Sequence, residues 1–244
     1  RGVKNGPSPA WMQRRLIAIG LRPISALVDI TNYVSFDLGR PLHVFDAAKL
    51  QGDTLTMRRA KAGETILALD EKTYTPSDTH CVIADDTRAL GLGGIMGGAY
   101  SGCSSETTDV FLESAWFDPA IIRRSARELG IESDAKYRFE RGVDPQLQSD
   151  AIEYATALIQ QIAGGQVGPV TEAVDEAQLP KQAELTLRAE RIEGLLGMGL
   201  PAQQVEDILS RLGMDISSNE DGLGWTVLAP SWRFDMAIEQ DLIE

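Results

Sequence analysis

Residues 25–46 read SALVDITNYVSFDLGRPLHVFD. Leu27, Ile30, Val34 and Leu38 recur at the three- and four-residue spacing of one helix face, and Gly39 supplies the stop. The chain then turns through Arg40-Pro41 and sets His43, one of only two histidines, against a Val-Phe pair. A histidine in that place either fills a half-buried corner or lines a pocket where a proton or a water must be held.

Outward from this stretch, three more helices share one punctuation. Ser8-Pro9 opens a helix through Trp11, Leu16 and Ile19 to Gly20, and Asp118-Pro119 opens one that ends at Gly130. Asp144-Pro145 opens another, with Leu147, Ile152, Ala155, Leu158 and Ile162 on one face, ending at Gly164-Gly165. Each start pairs a capping oxygen with a proline that has no amide hydrogen to lose, and each end is a glycine. Between the helices the period falls to two, and residues 54–60, 64–70, 79–85 and 109–117 read as strands. Residues 1–165 are therefore expected to form one mixed α+β domain.

Residues 166–183 lack a strong period and contain two prolines, which marks a connector. Beyond it, over 184–244, come a strand (ELTLRA), a short helix around RIEGLLG and a second helix in PAQQVEDILSRLG. MDISS and GWTVLAP then form a hairpin across NEDG, and a last helix starts near Met236. Two helices and a hairpin suggest a small winged-helix-like unit.

The 244 residues are 43% apolar and 24% charged, which suits a soluble globular protein with a core. No apolar run approaches the ~20 residues of a membrane span, so no membrane partner is expected. Cys81 and Cys103 form no C-x-x-C and have no nearby histidine pair, which argues against zinc and for a reducing, cytoplasmic setting. The net charge of −13 argues against a stand-alone nucleic-acid binder, because phosphate neutralisation needs Lys and Arg in excess. The chain begins RGVKNGPSP and ends IEQDLIE inside an expected helix, and it reads as a fragment of something longer.

Four motifs invite chemistry, each beside a plainer reading. GLGGIMGG (91–98) lacks the G-K-[ST] of a phosphate loop, so its glycines mean bare backbone for close approach by a ligand or by another strand. Glu113 lies in the apolar segment FLESAWF, on the same strand face as Phe111 and Ala115, and points either to solvent or into a polar pocket. ESDAKYRFERG (132–142) is either a solvated, salt-bridged strand or a functional loop where Ser133 supplies a hydroxyl and Ala135 sets the volume. In SWRFDMAIEQDLIE, Asp241 and Glu244 share a helix face and Asp235 can turn toward them, so the three could hold Mg2+. A solvated acidic helix start is the plainer alternative.

Taken in order, RPISALVDITNYVSFDLGRPLHVFD, GLGGIMGG, ESAWFDP, SDAKYRFERGVDP and APSWRFDM resemble the beta subunit of bacterial phenylalanyl-tRNA synthetase, over nearly the whole chain. The resemblance implies an α+β fold: a mixed-sheet B3/B4 editing domain at 1–165, then a winged-helix-like B5 domain at 184–244. It also implies hydrolysis of tyrosine wrongly esterified to tRNA(Phe). By motif, His43, Glu113 and Ser133 would be catalytic, and Gly97, Glu113 and Ala135 would bind substrate. The family often has Thr where Ser133 stands. Asp235, Asp241 and Glu244 match the family's Mg2+ ligands, of which a further Glu is missing here. The implied partners are the alpha subunit, tRNA(Phe) and mischarged tyrosyl-tRNA, with ATP used only by the full enzyme. A non-catalytic RNA- and subunit-docking module with a degenerate pocket is the alternative.

Overall fold

The computed structural model describes all residues from 1 to 244. They gather into two compact units, one of residues 1–143 with 147–172 and the other of 144–146 with 173–244.

The first unit contains α1 (Ala10–Ala18), α2 (Ala26–Asp37), β1 (His43–Asp46), β2 (Thr56–Arg59), β3 (Ile66–Leu67) and β4 (Thr73–Tyr74). It continues with β5 (Cys81–Ala84), β6 (Ala89–Leu92), β7 (Met96–Gly97), β8 (Val110–Glu113), α3 (Pro119–Leu129), α4 (Asp134–Phe139) and α5 (Gln148–Ala163). Leu27, Ile30 and Val34 of α2 are fully buried and meet Met12 and Leu16 of α1 and Ala155 and Ile159 of α5. The turn between α1 and α2 is held by buried Asp29, which accepts the Ser8 hydroxyl at 2.5 Å and the Ile24 N–H at 2.8 Å. Ser8 thus serves the core, and α1 starts after Pro9 without a side-chain cap.

A second core lies under the four-stranded sheet β2-β5-β6-β7 and includes Val82, Leu90, Ile95, Phe117, Ile122 and Phe139. The two cores share the antiparallel ribbon of β1 and β8, with His43 opposite Glu113 and Phe45 opposite Phe111. Alternation along the ribbon sends Val44 and Leu112 to the helical core and Phe45 to the sheet core.

Every strand pairing is antiparallel, so the class is α+β and none of the sheets is mixed. The close approach expected of the glycines in 91–98 is made in a hairpin, with Gly91 opposite Gly97 across β6 and β7. Two local expectations need correction. Residues 132–142 contain the helix α4 in place of a strand: Ser133 Oγ accepts the Lys136 N–H at 3.0 Å, and Lys136 pairs with Glu132 and Glu140 one turn to either side. That cap and those i,i+4 pairs outweigh the alternating pattern. The helix expected from Asp144-Pro145 starts at Gln148, because Asp144 accepts the Gln146 N–H in a turn of its own. At α3 the reading holds, with Asp118 accepting from Ile121, Pro119 in the first turn and Gly130 left-handed at φ 66°.

The second unit runs β9 (Glu184–Arg188), α6 (Ala189–Leu196), α7 (Ala202–Arg211), β10 (Asp215–Ser218), β11 (Gly224–Leu228) and α8 (Glu239–Ile243). Its sheet order is β10-β11-β9, and Leu187, Val205, Leu209, Trp225 and Val227 form its core. This is the winged-helix-like arrangement of strand, two helices and hairpin. No helix of the chain is long and apolar enough to cross a membrane.

Asp29→Ala is expected to lower stability by about 1–3 kcal/mol, because it leaves the buried Ser8 hydroxyl unsatisfied and removes the acceptor of the Ile24 N–H. Urea denaturation checks this, and a loss below about 0.5 kcal/mol would show that water replaces the carboxylate.

Candidate functional site

The end of the ribbon and the glycine hairpin enclose a pocket of about 470 Å³, its open mouth included. Pro41, His43 and Phe45 form one wall, Glu113 the next, and residues 91–97 of the hairpin a third. Phe117, Ala135 and Phe139 complete it, which makes it apolar apart from two titratable groups.

Those two groups are cross-strand partners, because β1 and β8 place His43 and Glu113 opposite each other on one face. The His43 ring stands edge-on to Phe45 with centroids 4.4 Å apart, and Gly97 lies against it. A Cβ at position 97 would come within 2.4 Å of His43 Cε1, so only glycine permits this packing. His43 Nε2 is buried and makes no hydrogen bond within the protein. Desolvation lowers the imidazole to about 4, which leaves it neutral at physiological pH. The same cause acts oppositely on Glu113, raising its carboxyl from the ordinary 4.5 to about 7. Both side chains remain half-buried and face the pocket. The site therefore holds a neutral imidazole beside a carboxyl that changes charge near neutrality.

Of the other expected residues, Gly97 and Ala135 line the pocket with these two, and Ser133 does not. The Ser133 hydroxyl donates to the Ile95 carbonyl at 2.6 Å while it caps α4, so it fixes Ala135 against the hairpin. The second histidine, His80, is buried elsewhere between the Ser77 N–H and Glu128. Cys81 and Cys103 are free, but burial pushes each thiol up to about 11, too high for a nucleophile near neutral pH.

The expected Mg2+ set does not form, since no cluster of three or more His, Cys, Asp or Glu side chains in the chain could hold a metal ion. Asp235 is engaged by the Arg233 guanidinium at 2.8 and 3.1 Å. Asp241 Oδ2 accepts the N–H groups of Ala237 and Ile238, capping α8, and those two bonds hold its carboxyl below the usual range. A guanidinium and helix capping have thus engaged oxygens that Asp235 and Asp241 were expected to offer a cation.

Arg40 is a residue that sequence reasoning passed over. It is fully buried, and its Nε donates to Ser114 Oγ at 2.9 Å and its Nη2 to the Ala115 carbonyl at 2.6 Å, just past the end of β8. An arginine after a helix stop normally reads as solvated. Its place directly before a proline and an apolar run was the available signal.

Comparison with known proteins matches the chain to two domain families. Residues 1–164 match the B3/4 domain family and residues 185–244 the tRNA synthetase B5 domain family. The chain is 53% identical over 238 residues to the phenylalanine–tRNA ligase beta subunit of Chromobacterium violaceum, covering 98% of this chain and 30% of the relative. With that of Mesorhizobium japonicum it shares 50% over 245 residues, covering 100% of this chain and 30% of the relative. The chain belongs to the phenylalanine–tRNA ligase beta-subunit family. It spans about 30% of the length of these curated relatives. A crystal structure of an N-terminal fragment of the phenylalanyl-tRNA synthetase beta subunit from Pyrococcus horikoshii aligns at TM-score 0.43 and 13% identity, covering 89% of this chain and 63% of that one.

The raised Glu113 carboxyl has a consequence for stability. Between pH 4.5 and about 7 the folded protein keeps a proton that the unfolded chain has lost, so stability falls as pH rises through that window. Glu113→Gln removes this dependence and is expected to stabilise the protein at pH 8 relative to wild type, by at most about 3 kcal/mol, and much less at pH 4. Denaturation midpoints at the two pH values check it; an equal effect at both would mean that the carboxyl titrates normally.

Proposed function

We propose that the pocket hydrolyses the ester that joins tyrosine to tRNA(Phe), correcting a mischarged product inside a phenylalanine–tRNA ligase. In this reading the enzyme works in the cytoplasm, and its alpha subunit carries the ATP-dependent charging step. The observation that carries the proposal is the desolvated Glu113 carboxyl set opposite His43 on the ribbon, both lining an open, aromatic-lined pocket.

Phenylalanine and tyrosine differ by one hydroxyl, and a site built to bond that group rejects the analogue lacking it by ~10⁴-fold. Ionised Glu113 is a pure acceptor and suits the phenol O–H, while Phe45, Phe117 and Phe139 suit the ring. A water attacks the ester carbonyl, the bond to the ribose oxygen breaks, and that oxygen takes up a proton as tyrosine leaves. His43, lowered to about 4, is too weak a base to abstract the proton efficiently near neutrality. Its role is to hold the attacking water or the terminal ribose through Nε2, which has no other partner in the protein. Ser133 acts at one remove by fixing Ala135.

The open pocket that His43 and Glu113 both line favours this reading over a docking module with a degenerate pocket, which would be expected to have closed it. With a net charge of −13, most of the grip on tRNA is assigned to other parts of the enzyme.

Two outcomes are expected in the assembled synthetase. Tyrosyl- over phenylalanyl-tRNA preference should fall roughly ten- to more than a hundredfold in Glu113→Ala, the effect of losing a charge-assisted hydrogen bond. In the wild type the same preference should decline as pH drops through about 7, a dependence absent from the mutant. Deacylation assays on both esters at pH 6 and pH 8 decide it, and a preference insensitive to mutation and pH would defeat the proposal. Ala135→Trp should block hydrolysis of the mischarged ester with little change in melting temperature, since the residue is only partly buried at the pocket wall. Normal deacylation by that variant would move Ala135 out of the site.

A further inference from the structure

We infer that Arg40 is a positioning residue for the ester hydrolysis, holding the end of β8 so that Glu113 faces His43 at the depth needed to meet the substrate. The inference rests on the editing reading above and adds a residue to it.

The β1–β8 ladder ends at the His43–Glu113 pair. Continuing the same register by two residues would set Pro41 opposite Ala115. Proline has no N–H to donate, so the backbone cannot supply a rung from that residue. The Arg40 side chain gives one instead: Nη2 donates to the Ala115 carbonyl at 2.6 Å, and Nε donates to Ser114 Oγ at 2.9 Å. One planar guanidinium thereby grips the two residues that follow Glu113, from a point three residues before His43.

Burial makes the arrangement specific. Arg40 is the largest fully buried side chain of the protein, and a guanidinium is expensive to desolvate unless its donors are satisfied. An apolar residue would fill the same volume without that expense, but it could not fix Ser114 and Ala115 in orientation. Lysine offers a point charge in place of a fork and cannot reproduce both bonds with the same geometry. Arg40 does not line the pocket, so its influence on a substrate must pass through the strand that carries Glu113.

The test uses the assembled synthetase and reads the ratio of tyrosyl- to phenylalanyl-tRNA deacylation. Arg40→Gln is expected to lower that ratio at least tenfold, Arg40→Lys by less, and Ser114→Ala by a few-fold. Each variant is repeated with Glu113→Ala. If Arg40 acts through Glu113, adding Arg40→Gln to Glu113→Ala leaves the ratio where Glu113→Ala alone puts it. A generally loosened fold would instead lower overall hydrolysis of both esters in either background. An undiminished ratio in the Arg40 variants, or an equal fall with and without Glu113, overturns the inference and leaves the editing reading standing. An unchanged ratio in Glu113→Ala alone would overturn both. Should Arg40→Gln fail to fold, Arg40→Lys and Ser114→Ala carry the comparison, and a wild-type ratio in both overturns the inference.

Discussion

The antiparallel ribbon of β1 and β8 is the constraint on which the site depends. Its two strands come from segments about seventy residues apart in the chain, and their register alone sets His43 opposite Glu113. Period-two alternation then gives the ribbon two buried faces. Val44 and Leu112 anchor it to the helical core, while Phe45 reaches the core under the four-stranded sheet. A slip of one residue would send the histidine and the carboxylate into the helices and Val44 into the pocket. Hydrophobic burial on both faces therefore fixes the chemical pair.

One physical cause, desolvation in an apolar pocket, moves both members of that pair in opposite directions. It removes the charge from the imidazole over the physiological range and brings the carboxyl to the edge of ionisation at neutral pH. Neither effect needs a neighbouring charge. The apolar lining that suits an aromatic ring is thus also what separates the two groups into a neutral partner and a switchable acceptor.

Bare backbone performs several tasks in the short hairpin of residues 91–98. Gly97 admits the His43 ring, while Gly93 and Gly94 sit against Phe117 so closely that a Cβ at either would clash at 2.9 and 2.7 Å. The close approach anticipated from the glycines thus serves packing and the pocket wall together. At the chain's last helix the same economy of polar atoms works against a metal. Asp241 is committed to its cap and Asp235 to Arg233.

From residue pattern alone, the helical spacing of α2, the Asp118-Pro119 start of α3 and the strand–helix–helix–hairpin order of the second unit were legible. These are local features, set by side-chain period, caps and turn residues within a few positions. Motif resemblance brought His43, Gly97, Glu113 and Ala135 together before any contact was known. Pattern by itself left Glu113 between solvent and pocket, because alternation assigns a face without saying what covers it. Tertiary structure decided that question, and it decided against the Mg2+ cluster, since both depend on partners such as Phe117 and Arg233 whose place in space no spacing rule reveals. Asp144-Pro145 and residues 132–142 misled for a related reason, as turns and ion pairs compete with the pattern over the same few residues. Arg40 was hidden altogether. Its burial follows from the meeting of two distant segments, and a guanidinium is inside only where the fold brings acceptors to it.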